Sequence, residues 1–599
     1  MNKNKYSIII LATFLVFPVF CYAAQVDSTD IAHMRIRISE LESANPPSQD
    51  RVQSLINSMQ PDGSWSAVNY EDLEVSHWLP YHHLTDYLLP LAKAYAKTDS
   101  PFYHDQDLVE SMHKALDYWL NHNFTSRNWW YNDIGVPRTL SDILIMMGHE
   151  VTLGELLKAF NQMRGSYITQ TGQNKVWRAE IQLKIGLLEY GQGRSNLLGS
   201  PAGRIEKASK VLQDEVVIWG KEGIQPDWSF HQHGVQQQFG NYGLAFASSQ
   251  ATWAYILKGT PFAYPSQKIE KLRNYVVKGL SKVVWNGEMD VSGIGRQVFP
   301  ESRASKGGTV IRVLRLMSKS DPGHATEYQD LARSLSNVEK HPSKLQGNTY
   351  FWRSDLMVNR SDASYMSVRM CSKKIQSTES GNGENIKGAH LSDGATYIYQ
   401  SGREYQDIFP VWDWHRIPGV TSYSSGPLPD LSWRGLHNGS DYVGGVSDTT
   451  FGIAAMLFKR NGLTAHKAWF MGPDRMICLG SGIQSNRENQ PVFTTINQSQ
   501  LDGQVYVKSI SGSNSLKTGE KHENTDIQGV FHHRTGYVFL QPENVHVDAV
   551  QQTGSWRNVY TDGTQKSISR DVFNLWIDHG SGPKLASYAY MIKPGIDQE

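Results

Sequence analysis

Four short stretches hold the residue types from which an active site could be assembled. The first is Arg127-Asn128-Trp129-Trp130-Tyr131-Asn132. Three adjacent aromatics cannot all face one helix core. At least one reaches the surface, where an indole face can stack on a pyranose ring; core packing is the equal alternative. The second is Thr171-Gly172-Gln173-Asn174, a polar turn that opens a helix. Asn174 is there either an N-cap or an amide offered to a ligand. The third is Asp227-Trp228-Ser229-Phe230-His231-Gln232-His233-Gly234, followed by Gly240-Asn241-Tyr242-Gly243. Imidazoles and a phenol in a glycine-punctuated loop read as a site, because loops on rigid scaffolds carry function. His231 and His233 could ligate a metal, but no carboxylate is spaced to complete the set. The fourth is Gly293-Ile294-Gly295-Arg296, with Arg303 beyond it. Such an arginine is a solvated surface group or, beside a His/Tyr pair, a bidentate partner for a carboxylate.

The inventory is thus Asn, His, Tyr and Arg. It holds no Ser–His–Asp arrangement and no evident carboxylate pair of the kind that glycoside hydrolysis uses. It suits β-elimination at a uronic acid. The C5 proton of a uronate is weakly acidic. An amide such as Asn174 can hydrogen-bond the carboxyl and stabilise the enolate-like charge that develops. A His or a deprotonated Tyr can remove the proton, and a nearby Arg lowers a Tyr pKa by favouring the phenolate.

The elements that must position these residues change character near residue 345. Before it, apolar residues recur at helical spacing: Leu84, Leu88, Leu91 and Tyr95; Leu108, Met112, Leu116, Trp119 and Leu120; Ile181, Ile185 and Leu188. Breaks such as Gly135-Val136-Pro137 separate them, and no strand-like run intervenes, so an all-helical domain is expected. After residue 345 strands recur with turn signals between them. Lys467–Met471 and Arg475–Leu479 flank Gly472-Pro473-Asp474 as a hairpin. Two strands flank Arg534-Thr535-Gly536, and Val572–Ile577 is another, a sandwich-type pattern. The polar stretch from Ser318 to Gln346, with Pro322 and Pro342, is the expected junction.

Composition narrows the partners. The 599 residues carry 58 Lys+Arg against 58 Asp+Glu, so no global basic field makes nucleic acid the default partner. Seventeen Trp and 28 Tyr favour sugar stacking, although large aromatics also fill cores. The N-terminus reads as a secretory signal peptide over residues 1–23: Lys3 and Lys5, an apolar run from Ser7 to Phe20, then Cys21-Tyr22-Ala23 before Ala24. The run is shorter than the ~20 residues a membrane span needs. Pro18-Val19-Phe20 are too bulky for a lipoprotein site at Cys21. A secreted or periplasmic monomer with no membrane anchor after cleavage is expected. Cys371 and Cys478 are either one disulfide or two buried thiols.

The same stretches resemble polysaccharide lyase family 8, which includes chondroitin AC, hyaluronate and xanthan lyases. The resemblance rests on Asn128-Trp129-Trp130, Thr171-Gly172-Gln173-Asn174, Gln232-His233-Gly234 with Tyr242 nine residues after His233, and Gly295-Arg296. It continues through Glu379-Ser380-Gly381-Asn382, Leu391 to Thr396, Pro410 to Trp414, Lys467-Ala468-Trp469-Phe470 and Thr494 to Gln498. The β-domain stretches look most like the chondroitin AC lyases. The resemblance implies a multidomain α+β fold: an incomplete α/α toroid over 24–345, then antiparallel β-sandwich-type sheets over 346–599. It implies that Asn174 neutralises the uronate carboxyl and that His233 contacts the same group and shares base duty. Tyr242 would take the C5 proton and pass it to the leaving O4. Arg296 would position the sugar and tune Tyr242, and Glu379 would orient Arg296 or His233, with Asn382 beside it. Asn128, Trp129 and Trp130 would form the binding platform; a family tryptophan aligns to within a residue or so of Trp433.

Three departures qualify that picture. Where chondroitin lyases of the family carry a second arginine, this chain has Pro300, and Arg303 is the candidate replacement. Where one relative binds calcium, this chain has Asp413, His415, Ser424 and Ser425, of which only Asp413 keeps the chemistry, so no metal is expected. Relatives continue into a further small β-domain after the stretch matching Tyr588 to Gly595, which this chain is expected to lack. The expected activity is cleavage of chondroitin sulfate, with hyaluronan as a second substrate, needing no cofactor. The alternatives are the same chemistry on another acidic polysaccharide such as xanthan, or a non-catalytic glycan-binding protein on this scaffold.

Overall fold

The computed structural model describes residues 26–190, 200–218, 220–336 and 345–597. The expected signal peptide lies outside the described residues. The first half is helical and the second is built of antiparallel sheets, as the change in periodicity requires.

The apolar stripes become buried helix faces. Leu108, Met112, Leu116, Trp119 and Leu120 all face inward on the Gln106–His122 helix. Asp105 caps its start by accepting from the Leu108 N–H, and Asn123 ends it in the left-handed region. The Leu84–Tyr95 stripe runs through a wide π turn, His83–Leu88, into the Leu89–Ala96 helix. A second wide turn, Tyr131–Gly135, precedes the Val136–Met147 helix. Each stands just ahead of a proline, Pro90 or Pro137, which has no N–H to continue the ordinary ladder.

The helical half is not strand-free. Gly223–Ile224 pairs with Phe230–His231, and Val284–Trp285 pairs with Glu288–Met289. Asn286 and Gly287, both at positive φ, turn the second ladder, an Asn-Gly hairpin signal that helical periodicity masks. Within the expected junction stretch, the Ser302–Ser320 helix ends and the Ala325–Leu335 helix runs, its polar residues covering the helix surface. The first strand of the second half is Gly347–Phe351.

That strand opens a four-stranded sheet completed in order by Leu356–Arg360, Tyr365–Arg369 and Ala395–Tyr399. Nine-stranded and five-stranded sheets follow. The hairpin read around Gly472-Pro473-Asp474 is there, Leu463–Met471 against Met476–Ser485, with alternate residues buried. Met456, Trp469, Val547 and Leu575 fill the space between these sheets. The helical core does not stop at the junction. It continues through Tyr365, Tyr397, Tyr399, Tyr405 and Trp412 of the β half. The Tyr365 and Tyr399 hydroxyls both donate to the buried carboxylate of Asp290, at 2.9 and 2.8 Å. The two halves therefore share one packed interior. Cys371 and Cys478 are separate buried thiols, each pushed up to about 12 by burial. Among the described residues, no helix is long and apolar enough to cross a membrane.

Candidate active site

Residues from both halves line one cleft of about 570 Å³. Val75, Arg127, Asn128, Trp129, Trp130, Asn174, His233 and Tyr242 come from the helical half, and Asn382, Trp433 and Arg434 from the β half.

Asn174 sits in the first turn of the Gly172–Tyr190 helix, as its third residue rather than its N-cap. It is 7% exposed, and its Oδ1 has no hydrogen-bond partner. A buried, unpartnered amide costs free energy unless a ligand completes it. The turn before it is fixed by Gln232, whose Oε1 accepts from the Gln173 N–H at 3.3 Å and whose Nε2 donates to Glu222 at 2.7 Å. Gly172 is required there: its φ is +56°, and a Cβ would stand 2.1 Å from Gln232 Oε1. Gln232 thus ties the Asn174 helix to the loop that presents His233.

His233 has a left-handed backbone, φ +59°. Its Nδ1 is 2.8 Å from Glu379 Oε2, and its ring meets the Tyr242 ring edge-on with centroids 4.7 Å apart. With the Nδ1–H donated to Glu379, Nε2 is the nitrogen left for the cleft.

Tyr242 rides on a wide π turn, Phe239–Gly243, a geometry common at functional sites. The Gly240 N–H donates to the Gly293 carbonyl at 2.7 Å, and a Cβ on Gly240 would come within 2.6 Å of that oxygen. Lys306 donates to the Gly240 carbonyl and to Gln297 Oε1. The Tyr242 turn and the loop that carries Arg296 are therefore locked together. Burial pushes Lys306 down to about 7, against the pull of Glu384.

Arg296 is buried and joins the two halves. It pairs with Glu379 through Nη1 and with Glu384 through Nε at 2.5 Å. Its guanidinium carbon lies 5.7 Å from the Tyr242 ring centroid and 5.2 Å from that of Trp433. Burial raises the Tyr242 pKa more than Arg296 lowers it, so the phenol is held above its ordinary value. Arg296 acts in the expected direction on Tyr242, and burial outweighs it. Burial also works against the Glu379 charge, but His233 and Arg296 outweigh it and hold Glu379 below its usual range. Glu384 goes the other way: burial raises it, and Arg296 only partly offsets this.

Among the tryptophans, Trp129 and Trp433 are each 45% exposed in the cleft, whereas Trp65, Trp119, Trp253 and Trp469 are fully buried. Trp130 packs edge-on against Trp177 at 5.8 Å. Asn382 lines the opposite wall in a left-handed conformation. Asn128 also lines the cleft, but its amide is engaged: Nδ2 donates to the Val75 carbonyl, and Oδ1 accepts from the Trp130 N–H.

Arg303 is a correction. It is 3% exposed, with Nε donating to the Met289 carbonyl, Nη2 to the Gly402 carbonyl, and Glu288 at 3.7 Å. It braces the junction and does not line the cleft. His231 is likewise structural: fully buried, on Ser354 Oγ at 3.1 Å, and pushed down to about 3 by burial. Asp413 does not suit a calcium ion, since its carboxylate faces Arg416 at 3.3 Å and His415 at 3.5 Å. No group of three or more His, Cys, Asp or Glu able to hold a metal occurs among the described residues. Sequence reasoning missed Glu384, Lys306 and Arg434, and quoted Arg127 without giving it a role. Three of them stand beside residues it named: Glu384 is two positions after Asn382, Arg127 precedes Asn128, and Arg434 follows Trp433.

Comparison with known proteins agrees with this architecture. Residues 23–334 match the N-terminal alpha-helical domain of polysaccharide lyase family 8, and residues 346–599 match its super-sandwich domain. The chain belongs to polysaccharide lyase family 8, a family of carbon–oxygen lyases that act on polysaccharides, and is an enzyme of that class. It is similar to Chondroitinase-AC of Pedobacter heparinus, with 34% identity over 595 residues, 97% of this chain and 82% of that one. It is 25% identical to Xanthan lyase of a Bacillus species over 565 residues, 85% of this chain and 59% of that one. A solved chondroitinase AC lyase, described with bound oligosaccharides, superposes with a TM-score of 0.87 and 30% identity over 95% of this chain and 83% of its own.

Proposed function

We propose that this lyase cleaves chondroitin sulfate, and hyaluronan by the same chemistry, through β-elimination at the uronic acid. The observation that carries this is the convergence of three groups on one cleft, the Asn174 amide, the His233 imidazole and the Tyr242 phenol, with the buried Arg296 guanidinium 5.7 Å from the Tyr242 ring. Similarity to a chondroitinase at 34% identity supports the substrate.

In this mechanism Asn174 hydrogen-bonds the uronate carboxyl and offsets the charge that grows there as C5 loses its proton. Tyr242 enters as a neutral phenol. His233, through Nε2, accepts the phenol proton, and the resulting imidazolium is stabilised by Glu379 at Nδ1. The phenolate, beside Arg296, removes the C5 proton. The C4–O4 bond breaks as the C4=C5 double bond forms, and Tyr242 donates the proton it has just taken to the leaving O4. His233 then returns its proton to Tyr242, which restores the neutral phenol for the next turn. Trp129 and Trp433 supply stacking faces, Arg178 backs the Trp129 ring at 5.6 Å, Trp130 lines the cleft beside them, and Asn382 holds a sugar hydroxyl. Residues 24–345 act as the catalytic helical domain and 346–599 as the β domain, in a secreted or periplasmic monomer.

The test is ultraviolet absorbance of the unsaturated uronate on chondroitin 4- and 6-sulfates, dermatan sulfate, hyaluronan and xanthan in parallel. Tyr242→Phe should lower kcat by about 10³-fold, within the range for losing a proton-transfer group, while substrate still binds. Full activity in that variant would remove the mechanism. Product from xanthan alone would keep the chemistry and overturn the substrate.

A further inference from the structure

A polyanion needs positive charge to meet, and the catalytic floor has little to spare. Arg296 is already paired with two carboxylates, Glu379 and Glu384. Arg303 is buried on backbone carbonyls, and Pro300 carries no charge. Two other guanidiniums do line the cleft: Arg127 on the helical wall and Arg434 on the β wall. Both are exposed, and neither is paired with a carboxylate among the described residues.

Their heads are free but their backbones are held. Asn128, next to Arg127, is fixed by hydrogen bonds to Val75 and Trp130 of 2.9 and 3.0 Å. The Arg434 carbonyl accepts from Gln376 Nε2 at 2.6 Å, and its N–H donates to Ser432 Oγ at 3.3 Å. A single exposed arginine is ordinarily just solvated. Here one from each domain faces the same concavity, each beside an exposed tryptophan. A cleft lined by one sign of charge focuses its field on an incoming anion.

We propose that Arg127 and Arg434 form a sulfate-ester subsite, through which the enzyme reads sulfation of the hexosamines that flank the reacting uronate. This rests on the substrate class proposed above. In an alternating uronate–hexosamine chain, both rings bonded to the reacting uronate are hexosamines, and a sulfate ester is the only anion they carry. The reacting carboxylate is taken at the floor by Asn174. The guanidinium fork matches paired oxygens of a tetrahedral anion, which an ammonium cannot do as well. Neither arginine touches the reacting atoms, so their contribution appears in binding and KM rather than in kcat.

The test uses the Tyr242→Phe protein, which is expected to bind substrate and to turn it over about 10³-fold more slowly. Chondroitin 4-sulfate, chondroitin 6-sulfate and unsulfated chondroitin oligosaccharides of equal length are titrated calorimetrically, with Arg127→Gln and Arg434→Gln added singly and together. Melting curves check folding. Each substitution should lower the ratio of sulfated to unsulfated affinity by about three- to tenfold, in keeping with a partly exposed charge-assisted contact. The salt dependence of sulfated binding should fall with it. An unchanged ratio would overturn the subsite, including the case where both affinities drop together, because the arginines would then read the uronate carboxylates common to both polymers. Turnover by the unsubstituted enzyme is followed in parallel. No unsaturated product from any polymer would sink the lyase reading, while the affinity ratio would still decide the subsite.

Discussion

At Tyr242 burial and charge pull in opposite directions, and burial wins. A motif shows which residues are neighbours in the chain but not how deeply they lie, so sequence reasoning credited Arg296 and missed desolvation. Replacing Arg296 with lysine keeps a positive charge but loses the fork that holds Glu379 and Glu384. The pull on Tyr242 should weaken and its pKa should rise further. The expected outcome is a loss of roughly 10²-fold in kcat/KM, with the activity limb displaced to higher pH; a pH–rate profile checks it, and an unshifted limb would mean that Arg296 does not tune Tyr242. Asn174 poses a separate question. Its Nδ2 is the donor that would meet the charge growing on the uronate carboxyl, an interaction made in the transition state, so Asn174→Ala should lower kcat by about 10²-fold and change KM much less. A loss confined to KM would make it a ground-state binding group. Asn174, His233, Tyr242 and Arg296 were legible because glycine-marked turns flagged them. Glu379, Asn382 and Trp433 were named only through resemblance. Arg303 was misread because side-chain direction is set by packing, and here Met289 and Gly402 offered it carbonyls inside the junction.

The π turn that carries Tyr242 is held from outside by the Ser302–Ser320 helix. Lys306 on that helix donates to the Gly240 carbonyl and to Gln297. Lys306→Met keeps the length and removes both donors, so the turn should loosen. A loss of about tenfold in kcat with little change in KM is expected, since small misplacements near the reacting atoms cost that much or more. A stability signature separates this from a general packing defect. The Lys306 pKa is about 7 in the fold against 10.5 for an ordinary lysine. Between those values the unfolded chain holds a proton that the folded one has released, so stability rises with pH across that window. Lys467, also pushed down to about 7 by burial, adds the same slope. Lys306→Met should therefore reduce, not abolish, the rise in melting temperature between pH 7 and 9, below the range where the buried thiols oppose it. Elements such as the Gln106–His122 helix and the Leu463–Met471 hairpin were legible because their periodicity spans many residues. The wide turns and two-residue ladders were not: they are too short to carry a period, and contacts such as Gly240 on Gly293 fix them.

The molecule works only if its two halves stay in register, because Arg296 comes from one and Glu379 and Glu384 from the other. The sequence marks the change from helical to strand periodicity near residue 345, yet it does not reveal that one core runs through the junction to Tyr399 and Trp412. Periodicity reports which face of an element is buried, not what covers it. The two glutamates on Arg296 make the register titratable in a distinctive way. Glu379 has a folded pKa below its ordinary 4.5. As pH falls from that value the unfolded chain takes up the proton first, so Glu379 contributes stability that is complete above about pH 4.5 and is lost as acid reaches its folded pKa. Glu384 has a folded pKa above 4.5. Its contribution is complete below that value and declines as pH rises through the folded pKa, when a buried carboxylate must ionise. Glu379→Gln should therefore flatten the acid-side fall in melting temperature, whereas Glu384→Gln should flatten a decline on the other side of pH 4.5. Activity should follow the first and not the second, because Glu379 also holds His233. Melting temperature measured against pH for both variants checks this. Slopes of the same sign would mean that the two carboxylates share Arg296 equally, and that His233 does not single out Glu379.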